Sequence, residues 1–471
     1  MRAVSSLRKM SNGIPPESVA HEVREPVYDW TDFGFDTRQV HAGEFDEPEY
    51  GSRIAPIYLS AAFRFDSFEE STRRFSGADD GQVYSRNLNP TNGVAERRIA
   101  ALEGGTGAVV VSSGQAAISA AILSITGQGE RFVSTASIYS GTRILFARSF
   151  ARFGVSVDYV SDPTDEAEWE AAIGPDTKAI FTETIPNPKN DVVDIAAVAR
   201  IAARHGIPLI VDNTIGTPYL VRPLEQGAHI VVHSGTKFLS GHGAAISGII
   251  VDGGTFDWAG SSRSYAGITE PPAPGAPSPL EAYGDRAYEQ FVRGGIVNDL
   301  GPALSPLHGF LLQQGIETLS LRMERHVENS RAVAEFLSQH PVVEYVDYAG
   351  LPGHPQHEIA QRTLGGRSGS VFAVTVRGGR AGAEIFIDSL RVFSRMTNIG
   401  DVRSMVLHPA TTTHLSFTPE LRAQLGIDDG LVRLSVGIET AADLIADLDS
   451  ALAAVATHLG LASGADNREN R

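Results

Sequence analysis

The feature that most constrains this chain is an alternation, from about residue 107, of short continuous apolar runs with helix-like segments. GAVVVSS precedes QAAISAAILSIT, and RFVST precedes GTRILFARSFARFG. VSVDYV precedes DEAEWEAAI, and TKAIFTET precedes DIAAVARIAARHG; PLIVDN, HIVVHS and AISGIIVDG close the series. Such β-branched runs, bounded by Gly or polar turns, fit strands buried on both faces, as in parallel sheets. Strands alternating with helices predict a doubly wound α/β sheet with right-handed crossovers. Ligands of such sheets bind beyond the carboxyl ends of the strands. The polar residues directly after each apolar run are therefore the functional candidates.

After residue 305 the texture changes. GFLLQQGIETLSLRMERHVENSRAVAEFLSQHP predicts one long amphipathic helical stretch, with Ile316, Leu319, Met323, Val327, Ala334 and Leu337 at helical spacing and Pro341 as its stop. VVEYVDY, SVFAVTVRG and VRLSVGIE read as strands, and AGAEIFIDSL and AADLIADLDSALAAVATHL as helices: a smaller α+β domain. A chain of 471 residues exceeds the ~250–300 at which one core stops growing. The expected division is an N-terminal arm and interface segment over 1–88, a large α/β domain over 89–305 with an insertion at about 252–300, and a small C-terminal α+β domain over 306–471. Pro271–Pro279, with five prolines in nine residues, predicts an extended surface loop inside that insertion. Residues 1–30 read as a polar arm without a signal-peptide core, and no apolar run approaches the ~20 residues of a spanning helix. A cytoplasmic enzyme with no membrane partner fits.

Composition removes several chemistries. The chain has no Cys, which excludes disulfides, a thiol nucleophile, iron–sulfur clusters and Cys-ligated zinc. A net charge of −17 argues against a general nucleic-acid binder. G-x-G-x-x-G, G-x-x-x-x-G-K-[ST], G-x-S-x-G and H-E-x-x-H are all missing. The histidines, His242 and His408 included, read as structural or supporting groups, and no metal site is expected.

Three strand ends carry chemistry. Ser113 and Gly114 stand at a strand-to-helix turn before Gln115, where free amides and the helix dipole favour an anion. Asp212 and Thr214 end LIVDNT, and Ser234, Thr236 and Lys237 follow HIVVH. Taken singly, each has an ordinary reading: an N-cap, a turn-capping Asp, a solvated Lys. Taken together they supply amides and hydroxyls for a phosphate, a carboxylate for a protonated ring nitrogen, and an amine for an aldehyde. That combination matches pyridoxal 5'-phosphate.

At these residues the chain resembles the Cys/Met-metabolism family of pyridoxal-phosphate enzymes. The resemblance runs from about Asp36 to residue 455 through PIYLSAAFRF, YSRNLNPT, ALEGG, SSGQAA, IYSGT, TETIPNP, VDNT, HSGTKFLSGHG and LVRLSVGIE. It implies an aspartate aminotransferase-like, fold type I, large domain. It implies Lys237 as the Schiff-base lysine and proton shuttle, Asp212 at the pyridine nitrogen with Thr214 nearby, and Tyr139 stacked on the ring and assisting proton transfer. It places the phosphate on Ser113, Gly114, Gln115, Ser234 and Thr236, and on Tyr84 and Arg86 from a neighbouring subunit. Glu183 and Asn187 fall near the ring; Arg433 and Asn398 take the substrate α-carboxylate. The shared site implies a homo-oligomer, a tetramer built from dimers.

Within the family, VDGGTFDW, QGIETLSLRMERHVENS and TNIGDVRSMVLHPATTTH resemble the O-acetylhomoserine sulfhydrylases. This implies γ-replacement on O-acetyl-L-homoserine by sulfide or methanethiol, giving homocysteine or methionine plus acetate. The alternatives are a γ-elimination lyase acting on methionine or cystathionine, and O-succinylhomoserine as donor. The chain departs from the family pattern at Leu88 and Ser140, where Gly is common, and in its Pro-rich insertion.

Overall fold

The computed structural model describes residues 30, 32–45, 47 and 50–461, so the predicted polar arm lies, apart from Trp30, outside the described residues. The apolar runs form β1 (Gly107–Val111), β2 (Arg131–Thr135), β3 (Ser156–Val160), β4 (Thr177–Glu183), β5 (Leu209–Asp212), β6 (Ile230–His233) and β7 (Gly248–Asp252). They pair in the order β1-β7-β6-β5-β4-β2-β3. Alternate residues face opposite layers, as strand geometry requires. Val109, Val111, Phe181, Ile210 and Val232 pack with the helix Gly114–Leu123, and Val133, Ile180, Leu209 and Val211 with the helix Ile195–His205.

One strand departs from expectation. AISGIIVDG reads as another member of the parallel series, but β7 runs antiparallel to both β1 and β6. A parallel strand needs a crossover to the far end of the sheet, whereas an antiparallel one follows directly. Residues 234–247 make no crossover, so the loop carrying Lys237 stays at the carboxyl end of the sheet. The first residue of β7, Gly248, then comes so close to the turn after β1 that a Cβ would lie 1.9 Å from the Ser113 carbonyl oxygen.

The second sheet comprises β8 (Val343–Asp347), β9 (Val371–Val376), β10 (Ser394–Arg395), β11 (Met405–Leu407) and β12 (Leu431–Ser435), in the order β10-β11-β12-β9-β8. It is separate from the large sheet and mostly antiparallel. The single long helix predicted before it is two, Pro306–Ile316 and Leu319–Ser338. The carbonyl of Gly315, which would accept from residue 319 in a continuous helix, is taken by the Arg322 guanidinium at 2.5 Å. The predicted apolar stripe is buried throughout, from Ile316 to Leu337.

The insertion is more than a surface loop. Pro271–Gly275 is exposed, but Trp258, Tyr265, Ile268, Tyr288 and Val292 join the core over the helix Gly114–Leu123. The Tyr288 hydroxyl donates to the Ala121 carbonyl at 2.9 Å. Buried Arg293 binds Glu289 and Glu96 and donates to the carbonyls of Asn87 and Ala108. It thereby anchors the segment that carries Tyr84 and Arg86.

Arg293→Leu removes the cation shared by half-buried Glu96 and buried Glu289, which keeps only the half-exposed Arg286, a loss of about 3 kcal/mol. The urea midpoint of unfolding is expected to fall clearly. A midpoint matching the parent's contradicts a structural role for this triad.

Candidate active site

The carboxyl ends of β1, β4, β5 and β6 bring the candidates into one cluster. Ser113 caps the helix Gly114–Leu123, its Oγ accepting from Ala116 N at 3.2 Å. The ordinary N-cap reading is therefore correct, and it leaves the amides of Gly114 and Gln115 free ahead of the first turn. The position needs glycine: a Cβ on Gly114 would meet Ser234 Cβ at 2.6 Å. The phosphate-loop candidates from two strand ends are thus in contact.

Glu183 and Asp212 are register partners on the parallel strands β4 and β5, so both carboxyl groups leave the same face of the sheet, out of water. Their donors differ. Asp212 Oδ1 accepts from Thr214 N at 2.9 Å and Thr214 Oγ1 at 2.5 Å, and Thr214 Oγ1 accepts from Ser234 N at 2.8 Å. Among the described residues Glu183 Oε1 accepts only from Tyr139 N, at 2.8 Å. Burial, then the Asp212 charge, pushes the Glu183 carboxyl well above the usual carboxylate range. Burial raises Asp212 as well, but the Thr214 donors and His233 pull it back. The single negative charge of the pair belongs on Asp212, with the proton on Glu183.

Lys237 lies one turn beyond Ser234, its backbone N donating to Ser234 O at 3.2 Å. It is not a solvated lysine. Burial, then the Arg433 charge, pushes its amine down to about 8. Its Nζ donates to Asn398 Oδ1 at 2.5 Å. The Asn398 carbonyl accepts from Arg433 Nη2 at 2.9 Å, and Asn187 Oδ1 from Arg433 Nη1 at 3.2 Å. Arg433 is only 4% exposed, has no carboxylate partner among the described residues, and keeps its Nε buried without an acceptor. Burial lowers it to about 10. A buried guanidinium without an anion is costly, and a ligand carboxylate would complete it.

Other candidates are placed differently. Thr236 Oγ1 donates to Ser247 O at 3.2 Å and accepts from Ser247 N at 3.0 Å, so its hydroxyl is engaged. Tyr139 is half exposed at the start of the helix Ser140–Leu145. Tyr84 is 44% exposed, with the Arg86 guanidinium over its ring at 5.2 Å; neither hydrogen-bonds to the Lys237 cluster. They line a surface recess with Leu59, Ala303 and Pro306. Arg322 was not among the sequence candidates. It is buried and donates to the carbonyls of Phe238 and Leu239, pinning the segment directly after Lys237. The available signal was an arginine inside the apolar stripe LSLRM.

Amides at a helix start, a Ser234 hydroxyl without a hydrogen bond among the described residues, an anionic Asp212 and a buried amine fit a phosphorylated pyridine aldehyde. Comparison with known proteins points to the same cofactor. The family model of Cys/Met metabolism PLP-dependent enzymes matches residues 36–453. An O-acetyl-L-homoserine sulfhydrylase of Corynebacterium glutamicum is 46% identical over 441 residues, 91% of this chain and 100% of that protein. A homocysteine synthase of Schizosaccharomyces pombe is 41% identical, covering 89% of this chain and 98% of its own. A crystal structure of a putative O-acetylhomoserine (thiol)-lyase from Campylobacter jejuni, with an N'-pyridoxyl-lysine-5'-monophosphate, superposes with a TM-score of 0.86. It is 32% identical and covers 89% of this chain and 100% of that one. A cystathionine gamma synthase from Xanthomonas oryzae, in complex with aminoacrylate and cysteine, gives 0.79 at 32% identity, over 90% and 99%.

Burial and the Arg433 charge both favour the neutral amine, so in the cofactor-free protein Lys237 is expected to be acylated with a midpoint near pH 8, not the ordinary ~10.4. Arg433→Leu moves that midpoint upward. Peptide mass spectrometry reads both; an ordinary lysine midpoint in the parent contradicts this site.

Proposed function

The chain belongs to the Cys/Met metabolism PLP-dependent enzymes, and from that premise we propose that it is an O-acetylhomoserine aminocarboxypropyltransferase. It replaces the acetoxy group of O-acetyl-L-homoserine with sulfide or methanethiol, giving L-homocysteine or L-methionine plus acetate, a step of methionine biosynthesis. The observation that carries this is the chain Lys237–Asn398–Arg433: an easily deprotonated amine linked through one asparagine to an unpaired buried guanidinium. An amino-acid substrate needs both, a base for its α-proton and a cation for its carboxylate. A cytoplasmic setting is part of the proposal.

Pyridoxal 5'-phosphate supplies an electron sink for negative charge at the substrate α-carbon. The amides of Gly114 and Gln115 and the Ser234 hydroxyl would hold its phosphate, and Asp212 its protonated ring nitrogen. Thr236 joins them only by releasing Ser247 O. Glu183, kept neutral beside Asp212, adds no second charge that would compete for that proton. The backbone of Tyr139 is tied to this carboxyl pair by its bond to Glu183.

Arg433 would clamp the substrate α-carboxylate with Asn398 and Asn187 setting its plane. Lys237 Nζ would accept the α-proton and pass it on to the conjugated system that carries the α-carbon's charge, so that the same amine, neutral again, would take a proton from Cβ; an amine near pH 8 can both take and return protons. The Cγ–O bond breaks and acetate departs with its electron pair. The thiol sulfur forms the Cγ–S bond, and protons return to Cβ and Cα.

Tyr84 and Arg86 would complete the phosphate site of a second copy. Their exposure supports this, as does the apolar surface beside them, with Leu59 70% exposed. The assembly proposed is a tetramer of such dimers.

The deciding assay offers O-acetyl- and O-succinyl-L-homoserine, each with sulfide and with methanethiol. Thiol-dependent product from the acetyl ester is expected, and none with Lys237→Ala, which also loses the visible absorbance of bound cofactor. Product from the succinyl ester alone would change the donor; 2-oxobutyrate released from methionine without thiol would indicate a lyase. No thiol-dependent product from any pair overturns the proposal. Alone, Lys237→Ala is expected to be inactive and Arg86→Ala weak, and the two chains to regain activity when co-assembled. Failure to regain it contradicts a shared site.

A further inference from the structure

We infer that Glu103 is a positioning residue for both loops that would hold the cofactor, an inference that rests on the function proposed above. Glu103 ends the helix Pro90–Glu103, its side chain is fully out of water, and no arginine or lysine pairs with it among the described residues. A carboxylate is an expensive group to bury, so its partners define its purpose. Both partners meet one oxygen. Oε1 lies 2.7 Å from His233 Nε2 and accepts from Asn213 Nδ2 at 2.9 Å. Among the described residues, Oε2 and His233 Nδ1 are buried without partners.

Asn213 directly follows Asp212, and His233 directly precedes Ser234. Successive strand residues point to opposite faces, so Asn213 and His233 lie behind the sheet while Asp212 and Glu183 lie on the cofactor side. Glu103 therefore grips β5 and β6 from the back where each opens into its loop. Asn213 is held further by donating to Val221 O at 2.9 Å and accepting from Thr184 Oγ1 at 3.1 Å. On the front, Ser234 N donates to Thr214 Oγ1, which donates to Asp212 Oδ1. A shift of His233 or Asn213 is thus passed to Asp212 within two hydrogen bonds. His233 also draws the Asp212 carboxyl down, less than the Thr214 donors do.

Glu103→Gln keeps an acceptor oxygen; Glu103→Leu has a similar size and accepts nothing. Pyridoxal 5'-phosphate is titrated into each, read by visible absorbance and circular dichroism, and thermal midpoints are taken with and without it. Glu103→Gln is expected within about threefold of parental affinity, and Glu103→Leu weaker by about tenfold or more, with a smaller midpoint gain on adding cofactor. Parental affinity and gain in Glu103→Leu, even with both midpoints lowered in parallel, overturn the inference, since Glu103 would then only stabilise the fold. Glu103→Gln as weak as Glu103→Leu also overturns it. Should Glu103→Leu not fold, Asn213→Ala removes one of the two donors, and parental affinity there overturns the inference equally. A parent that takes up no pyridoxal phosphate overturns the proposed function together with this inference; a parent that binds it while the variants match it overturns this inference alone.

Discussion

Two carboxyl groups, Glu183 and Asp212, stand side by side on adjacent strands and out of water, and the rest of the site is arranged around the cost of that placement. Two like charges so close in low dielectric cannot both persist. The unequal donors resolve the conflict, with two on Asp212 and one on Glu183. Because the donor to Glu183 is the backbone of Tyr139, the same bond fixes the start of the helix that carries that ring. Because Thr214 bridges Asp212 to Ser234, the carboxylate and the phosphate-loop candidates move as one body.

The antiparallel turn of β7 is what makes this economical. It returns the chain from β6 without a crossover, so Lys237 stays at the same edge as Asp212. The small sheet then approaches that edge from the other side. Asn398 and Arg433 bring its polar groups onto Lys237 and Asn187, and Arg322 ties the Lys237 segment to the helix Leu319–Ser338.

The strand ends were legible in the sequence because a parallel sheet puts its ligands there, and local runs such as LIVDNT and HIVVHS mark those ends without any long-range knowledge. The large mostly parallel sheet and the separate smaller sheet follow from the same patterns. What escaped depends on contacts distant in sequence. The direction of β7 is set by pairing, not by composition. Arg322 and Glu103 look like ordinary helix residues until the carbonyls and side chains they reach, some 80 to 130 positions away, are in place. The engagement of Thr236 by Ser247 is equally silent in HSGTK. The helix break at Gly315 depends on a guanidinium seven residues on, which periodicity alone does not register.

The account's central claim is that one amine, at the carboxyl end of β6, receives the cofactor. The chain contains four lysines, Lys9, Lys178, Lys189 and Lys237, so attachment can be read without ambiguity. The most direct measurement is borohydride reduction of the cofactor-loaded protein, followed by peptide mass spectrometry. The account predicts the pyridoxyl phosphate mass on Lys237 alone; the label on Lys178 or Lys189, or on no lysine, would contradict it.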